Sequence, residues 1–380
     1  MGLLSYVVVN TIGTIVRVLP WACQTGLIEL GHPDRSSPVF VTCNYRLTVE
    51  RVKRALRGLD AYLLVANSRG INVWCAATGG LLTNHDIVSV LKTSGIEERV
   101  DHRKVMLPQL AATGIETRVV EKRTGWKMIW GPVYAQDIPL FLGDRLEKTR
   151  EMREVQFPWM QRIEMAAAWA FPISLVSALV MIPLWREGIL PLVALIWGLS
   201  LLIFASFPLY GRWLGSRGKR LGFVLFDFGR GGFQLILWGV VMLGLVAHAL
   251  WVGDSGWGFV VRWGLISFFV VLILSLDLMG STPVYKSGLH EDRLLRVILD
   301  GEKCRGIGYC EQVCPRNCYE MDGDGHRARM PRAERCVQCG ACIVQCPFDA
   351  LYFRSPKGEV IPAETIRKFK LNLMGKRLVK

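Results

Sequence analysis

Eight of the chain's eleven cysteines lie between Cys304 and Cys346, and their spacing is that of cluster ligation. The second group reads Cys336-x2-Cys339-x2-Cys342-x3-Cys346-Pro347. In such a run three closely spaced thiolates bind one cubane iron–sulfur cluster, and the fourth reaches over to another. A zinc ribbon has no need of a third cysteine at this spacing followed by Cys-Pro. The first group, Cys304-x5-Cys310-x3-Cys314-Pro315, has Ile307 where the run would place its second cysteine. By the crossing rule, Cys336, Cys339, Cys342 and Cys314 hold one [4Fe–4S] cluster, and Cys304, Cys310 and Cys346 hold the other. With three thiolates, that other site suits a [3Fe–4S] cluster, or a [4Fe–4S] cluster with a non-cysteine ligand. Cys318 is a candidate substitute. Clusters of these kinds carry single electrons, so the segment supplies or withdraws electrons. Thiolate ligands also imply a reducing, cytoplasmic compartment.

A ninth cysteine, Cys75, stands among small residues between Arg69 and Gly80. It follows an expected strand and precedes Thr83-Asn84-His85-Asp86, a capping-box-like start to a helix over 86–93. A thiol at the N-terminal approach to a helix has its pKa lowered. Small neighbours let a large planar ligand approach the backbone. The same features suit a buried structural cysteine in a strand-to-helix turn, and physics alone leaves both readings open. Cys23 and Cys43 have no partner pattern and read as structural.

These residues need a frame. In residues 1–160 short β-branched runs at 6–10, 38–42 and 62–66 read as buried strands, with an amphipathic helical stretch at 48–59 between two of them. Strands alternating with helices give an α/β domain with a mainly parallel sheet. The first apolar segment lacks a basic start and is interrupted by Asn10 and Thr11, so it does not read as a signal peptide. From residue 166 four long, almost uncharged runs follow, at 166–185, 189–210, 233–252 and 257–276. Each is long enough to span a bilayer, and Trp185, Tyr210, Trp251 and Trp257 mark their ends.

The net charge of +14 would suit a nucleic-acid binder. The apolar runs favour instead a membrane protein with basic cytoplasmic faces and no nucleic-acid partner. The loop 211–222 carries Arg212, Arg217, Lys219 and Arg220 and reads as cytoplasmic. Four spans then place both ends of the chain in the cytoplasm. A short apolar piece at 221–228 leaves the count open by one. The basic tail 367–380 meets anionic lipid or solvent. The expected organisation is an α/β domain over 1–160, transmembrane helices over 161–280, a linker over 281–300, and an α+β bacterial-type two-cluster ferredoxin domain with its tail over 301–380.

The stretch Asn72-Val73-Trp74-Cys75-Ala76-Ala77 resembles the cap-helix signature of the mercury-methylating corrinoid protein family, which is related to the corrinoid iron–sulfur protein of the acetyl-coenzyme A pathway. The resemblance takes in residues 39–42, 59–66, 107–110 and 131–133 and covers roughly 37–157. Residues 303–353 resemble that family's separate two-cluster ferredoxin partner, so the chain looks like a fusion of the two. The resemblance implies a Rossmann-like domain followed by membrane helices. It implies a cobalamin-type corrinoid with Cys75 as axial cobalt ligand and Asn72, Val73, Trp74, Ala76 and Ala77 along its lower face. It further implies methyl transfer from a methyl donor, protein or small molecule, through nucleophilic Co(I). The ferredoxin half would restore that state with electrons from a low-potential donor.

There are departures. The family signature continues Gly-Lys where this chain has Thr78-Gly79, Ile307 replaces a cysteine, and the tail 366–380 has no cysteine pair. These weigh against mercury delivery more than against corrinoid binding, so methyl transfer to another acceptor stands beside it. The rival readings are a membrane iron–sulfur electron-transfer module linked to quinone or a partner, and a non-catalytic corrinoid-binding protein.

Overall fold

A computed structural model describes residues 3–210, 233–252, 256–278, 295–323, 326–372 and 375–378. The loop 211–222, the piece 221–228 and most of the linker, 281–294, lie outside the described residues. The chain forms two units. One holds Met1–Gly13, Leu19–Val155 and Leu295–Lys380, and the other holds Thr14–Val18 and Gln156–Leu294.

The first unit begins with α1 (Leu3–Ile15), β1 (Gly26–Leu30), β2 (Val39–Cys43), α2 (Arg46–Ala55), β3 (Ala61–Ala66), α3 (Val73–Thr78), α4 (Asn84–Thr93), α5 (Ile96–Arg99) and β4 (Lys104–Leu107). A 3-10 turn at Gln109–Thr113, α6 (Thr117–Thr124), β5 (Lys127–Trp130), α7 (Ile138–Gly143) and α8 (Arg150–Arg153) follow. The strands form one sheet in the order β1-β3-β2-β4-β5. β1 is antiparallel to β3, and the other pairings are parallel. Every residue of β2 and β3 is buried, because both faces of the sheet are covered. Side chains alternate between faces: Val39, Val41, Tyr62 and Leu64 enter one core, and Phe40, Leu63 and Val65 enter the other.

Residues 6–10, expected as a strand, lie instead in α1. The reason is a helical face at i, i+4, i+7 that docks on and around α2. The Arg54 guanidinium lies 4.4 Å from the Tyr6 ring centre, Arg51 Nε donates to Asn10 Oδ1 at 3.0 Å, and the Tyr45 hydroxyl donates to the Gly13 carbonyl at 3.1 Å. These tertiary contacts override the β-branched preference of Val7-Val8-Val9.

The second unit contains α9 (Trp159–Leu184), α10 (Ile189–Ala205), α11 (Phe207–Tyr210), α12 (Phe233–Val252) and α13 (Trp257–Leu278). α10 packs on α9 and α13, and α12 packs on α13. Four of its helical segments are long and apolar enough to cross a membrane, with mean hydropathy of 2.0 to 2.4. The Ser200 hydroxyl donates to the Ala166 carbonyl at 2.8 Å, and Trp238 Nε1 donates to the Gly264 carbonyl at 2.8 Å, so these polar groups are satisfied inside the bundle. Glu164 is buried but paired with Arg17 at 2.6 Å. Large apolar side chains face outward, among them Leu243, Leu250 and Trp251.

The first unit resumes with β6 (Arg296–Leu299), α14 (Tyr309–Val313), β7 (Glu320–Met321), β8 (Ala328–Arg329), α15 (Ala341–Gln345), β9 (Leu351–Arg354), β10 (Val360–Ile361), α16 (Ala363–Lys368), β11 (Phe369–Asn372) and β12 (Gly375–Leu378). β6, β9 and β10 form an antiparallel sheet with β9 in the middle, and β7 and β8 form a short hairpin. The two short helices α14 and α15 lie against each other. Each opens on a glycine in the left-handed region, Gly308 at φ +79° and Gly340 at φ +76°.

Candidate functional site

The sheet has a topological switch point. From β2 the chain turns to β3 on one side, then returns to β4 on the other. In such sheets the crevice beyond the carboxyl ends of the strands at that point is where ligands bind. Asn44 follows β2 there and is buried. Its Oδ1 accepts the backbone N–H groups of Ser68 and Gly70 at 2.9 Å each, and its Nδ2 donates to the Cys23 carbonyl at 3.3 Å. Asn44 thus ties down the loop that leaves β3. Gly70 must be glycine, because its φ is +71° and a Cβ would lie 2.5 Å from the Ala22 nitrogen.

That loop delivers α3. Asn72 is its N-cap, and Asn72 Oδ1 accepts the Cys75 N–H at 3.0 Å. Cys75 therefore sits in the first turn of its own helix, not merely on the approach to α4. The capping box at Thr83 and Asp86 is present and starts α4 at Asn84. The six residues expected to face a ligand divide by helical periodicity. Val73, Ala76 and Ala77, at i, i+3 and i+4, point into the core. Their side chains hold the helix down on the core. Cys75 is exposed, and Asn72 and Trp74 are half-buried, with Thr78 beside them. α3 rests tightly on the segment that follows β4: a Cβ on Gly114 would meet the Ala77 carbonyl at 2.9 Å.

The dicluster cysteines fall into two groups. Cys310 has Cys304 and Cys346 as its cysteine neighbours. Cys314, Cys336, Cys339 and Cys342 surround one another. Ile307 is 44% exposed and brings no ligand to the first group. Cys318 does not fill that gap. Its thiol bonds to Cys314 and Cys336, in the four-cysteine group, which raises its own pKa and lowers that of Cys314. Burial pushes Cys310 up to about 12, and Cys339 and Cys342 also upward, so these thiols ionise only against a strong positive charge such as cluster iron.

Donors are already aimed at the sulfurs. The Cys318 N–H lies 3.3 Å from Cys314 Sγ, the Ala328 N–H 3.4 Å from Cys304 Sγ, the Gln338 N–H 3.4 Å from Cys336 Sγ, and the Tyr319 hydroxyl 3.2 Å from Cys342 Sγ. Hydrogen bonds to cluster sulfurs are one of the means by which a protein sets a cluster's potential. The donor set fits iron–sulfur ligation.

The dicluster segment docks on the α/β domain through buried polar contacts. Gln345 Nε2 donates to the Ala112 carbonyl at 2.7 Å and to the Ile115 carbonyl, while its Oε1 accepts from the Thr117 hydroxyl at 3.1 Å and the Thr117 N–H at 3.4 Å. Asn317 Nδ2 donates to the Arg150 carbonyl and to Glu154, both at 3.0 Å, and Arg335 pairs with Glu154. Lys148 Nζ donates to Gln109 Oε1 at 2.8 Å, the Gly131 carbonyl at 3.2 Å and the Gln312 carbonyl at 2.8 Å. Three donors meet three uncharged acceptors. Sequence reasoning missed Asn44, Lys148 and Gln345; the first two stand in no motif, and Gln345 fills a variable position of the second cysteine run, just before Cys346.

Burial, with the charge of Arg153, brings the Lys148 pKa down to about 7 from its ordinary 10.5. Between those values the unfolded chain binds more protons than the folded one, so stability rises with pH across that window. Below about 7 both states carry the proton and the gain is absent. The unfolding free energy from urea titrations should therefore increase from pH 7 towards pH 9, by at most about 1.4 kcal/mol per pH unit, and the increase should vanish in Lys148→Met.

Residues 9–142 match the family model of the CO dehydrogenase/acetyl-CoA synthase delta subunit, and residues 303–353 match that of the 4Fe-4S dicluster domain. The chain is 37% identical over 125 residues to the acetyl-CoA decarbonylase/synthase complex subunit gamma of Methanothermobacter thermautotrophicus, covering 32% of this chain and 27% of that protein. It is 34% identical over 125 residues to the same subunit of Methanopyrus kandleri, with the same coverage. It is 29% identical over 125 residues to the corrinoid/iron-sulfur protein large subunit of Moorella thermoacetica, covering 32% of this chain and 28% of that protein. The chain thus spans about a quarter of the length of these relatives, which are named for acetyl-CoA and corrinoid complexes and not for mercury. One polypeptide here joins a segment similar to these subunits, four long apolar helices and a 4Fe–4S dicluster domain.

Proposed function

We propose that the chain is a membrane-anchored, corrinoid-dependent methyl-transfer protein with a built-in electron donor. The observation that carries the reading is Cys75: an exposed thiol on a capped helix that follows β3 of a mainly parallel sheet, inside the segment matched to corrinoid-type relatives. A bound corrinoid would supply a cobalt centre able to take a methyl group from a donor and pass it on. The protein's part is positional. Cys75 Sγ would hold the cobalt, Asn72 fixes the turn that carries it, and Trp74 would offer a flat apolar surface beside it. Val73, Ala76 and Ala77 hold the helix from beneath. The Thr78 hydroxyl donates to the Trp74 carbonyl at 2.7 Å and closes the turn. The reaction is mercury methylation or a related methyl transfer to another acceptor.

Seven cysteines hold the two clusters. Cys314, Cys336, Cys339 and Cys342 bind a [4Fe–4S] cluster, and Cys304, Cys310 and Cys346 bind a [3Fe–4S] or incompletely cysteine-ligated [4Fe–4S] cluster. The α/β domain occupies about 1–160, the spans 161–280 and the dicluster domain 301–380. The four apolar helices are transmembrane spans, with both ends of the chain in the cytoplasm. Their hydropathy and outward-facing apolar side chains support this.

The test is to purify the chain anaerobically from a corrinoid-supplied host beside Cys75→Ala. Stoichiometric cobalt, with an absorption spectrum altered by Cys75→Ala, is expected. Iron without cobalt would sink the methyl-transfer reading and leave a membrane-bound ferredoxin.

A further inference from the structure

We propose that the two cluster sites work in series. The Cys314, Cys336, Cys339 and Cys342 site passes electrons to the face of α3 that carries Cys75. The Cys304, Cys310 and Cys346 site is the port for an outside donor. The destination rests on the corrinoid reading above; the order rests on packing alone.

Six of the seven expected ligands pack within the dicluster domain's own core. Cys339 does not. It packs against the core of the α/β domain, where Val313 of α14 and Ala341 of α15 are full members. That same core contains Val73 and Ala76 on the underside of α3, and Ala111 and Ala112 of the 3-10 turn. α3 and α15 both pack on this turn. One continuous apolar layer therefore runs from Cys339 to the helix that presents Cys75. Gln345, at the end of α15, fixes the spacing by bonding Ala112, Ile115 and Thr117. Single-electron transfer falls off steeply with distance, so the cluster whose ligand packs on this layer is the donor.

The ligands of the other site do not enter this layer. Cys304, Cys310 and Cys346 have no member in the α/β core. Ile307 beside them is 44% exposed, and Phe348, two residues past Cys346, is 45% exposed. An outside low-potential one-electron carrier is oxidised as it reduces this cluster. The electron then reduces the four-thiolate cluster, which is reoxidised as it delivers the electron toward α3. No bond forms or breaks and no proton moves.

The test uses the full chain in detergent, in a Cys23→Ser background, with clusters rebuilt from iron and sulfide and no corrinoid added. A reduction-resistant trityl radical is attached to exposed Cys75. Its spin relaxation is followed during a potentiometric titration, alongside the two cluster signals. Relaxation should quicken severalfold in step with the four-thiolate signal, and the effect should persist in Cys304→Ala/Cys310→Ala, which lacks the other cluster. Relaxation that follows the three-thiolate signal, or both equally, overturns the order. The titration of the unmutated ligand set decides the matter even where the double variant misfolds. Cobalt analysis is separate, so failure of the corrinoid reading would be seen as missing cobalt and not as a wrong order.

Discussion

Replacing Gln345 with leucine should lower the unfolding free energy by on the order of 4 kcal/mol and free the dicluster domain from the α/β domain. Gln345 is 4% exposed, and all four hydrogen-bonding positions of its amide are used. Leucine matches its bulk but leaves the carbonyls of Ala112 and Ile115 and the N–H of Thr117 buried without this partner. Each such group costs about 1–3 kcal/mol. Urea unfolding of the reconstituted chain gives the loss, and limited proteolysis between α8 and α9 tests the release. An unchanged midpoint would mean that water replaces the amide and that the junction is looser than the packing indicates. By contrast, cutting the Arg35–Asp101 pair, which is largely exposed, should cost under about 1 kcal/mol.

Asn44→Leu should be nearly as costly, about 3–4 kcal/mol, and its effect should appear at a distance. The substitution removes the acceptor for the Ser68 and Gly70 N–H groups and the donor to the Cys23 carbonyl. Those bonds hold the loop that launches α3. The expected signature is a lower thermal midpoint together with faster alkylation of Cys75 and reduced cobalt occupancy, in a protein whose clusters remain intact. If Asn44→Leu lowered stability without changing Cys75 reactivity or cobalt content, the loop would not be what positions the thiol.

Much of the frame was legible because it is written in local pattern. The runs at 38–42 and 62–66 became β2 and β3, and the four apolar runs became α9, α10 with α11, α12 and α13. The Thr83–Asp86 capping box is likewise a four-residue signal. What failed was local preference overruled from elsewhere. Val7-Val8-Val9 reads as a strand, yet Tyr6, Asn10 and Gly13 meet partners on α2 and the residues flanking it, and these hold the segment helical. The signature around Cys75 was found as a string, but only the α3 geometry sorts exposed Cys75 from buried Val73, Ala76 and Ala77. A 3.6-residue period applied to those six positions would have sorted them earlier. Gln345 and Lys148 gave no signal, since each takes its meaning from partners far away in the sequence.

The separation of Thr117 from Gln345 by 228 residues bears on how the protein is made. Synthesis at the usual pace leaves roughly 10–45 s between the emergence of the two. During that interval the α/β domain exists without Val313 and Ala341, which complete its core, while four long apolar helices leave the ribosome. The nascent edge beside α3 is therefore bare at the moment the chain is most exposed to aggregation. Cluster insertion into the last segment would then coincide with the sealing of the first domain, making iron supply a checkpoint on maturation of the whole polypeptide.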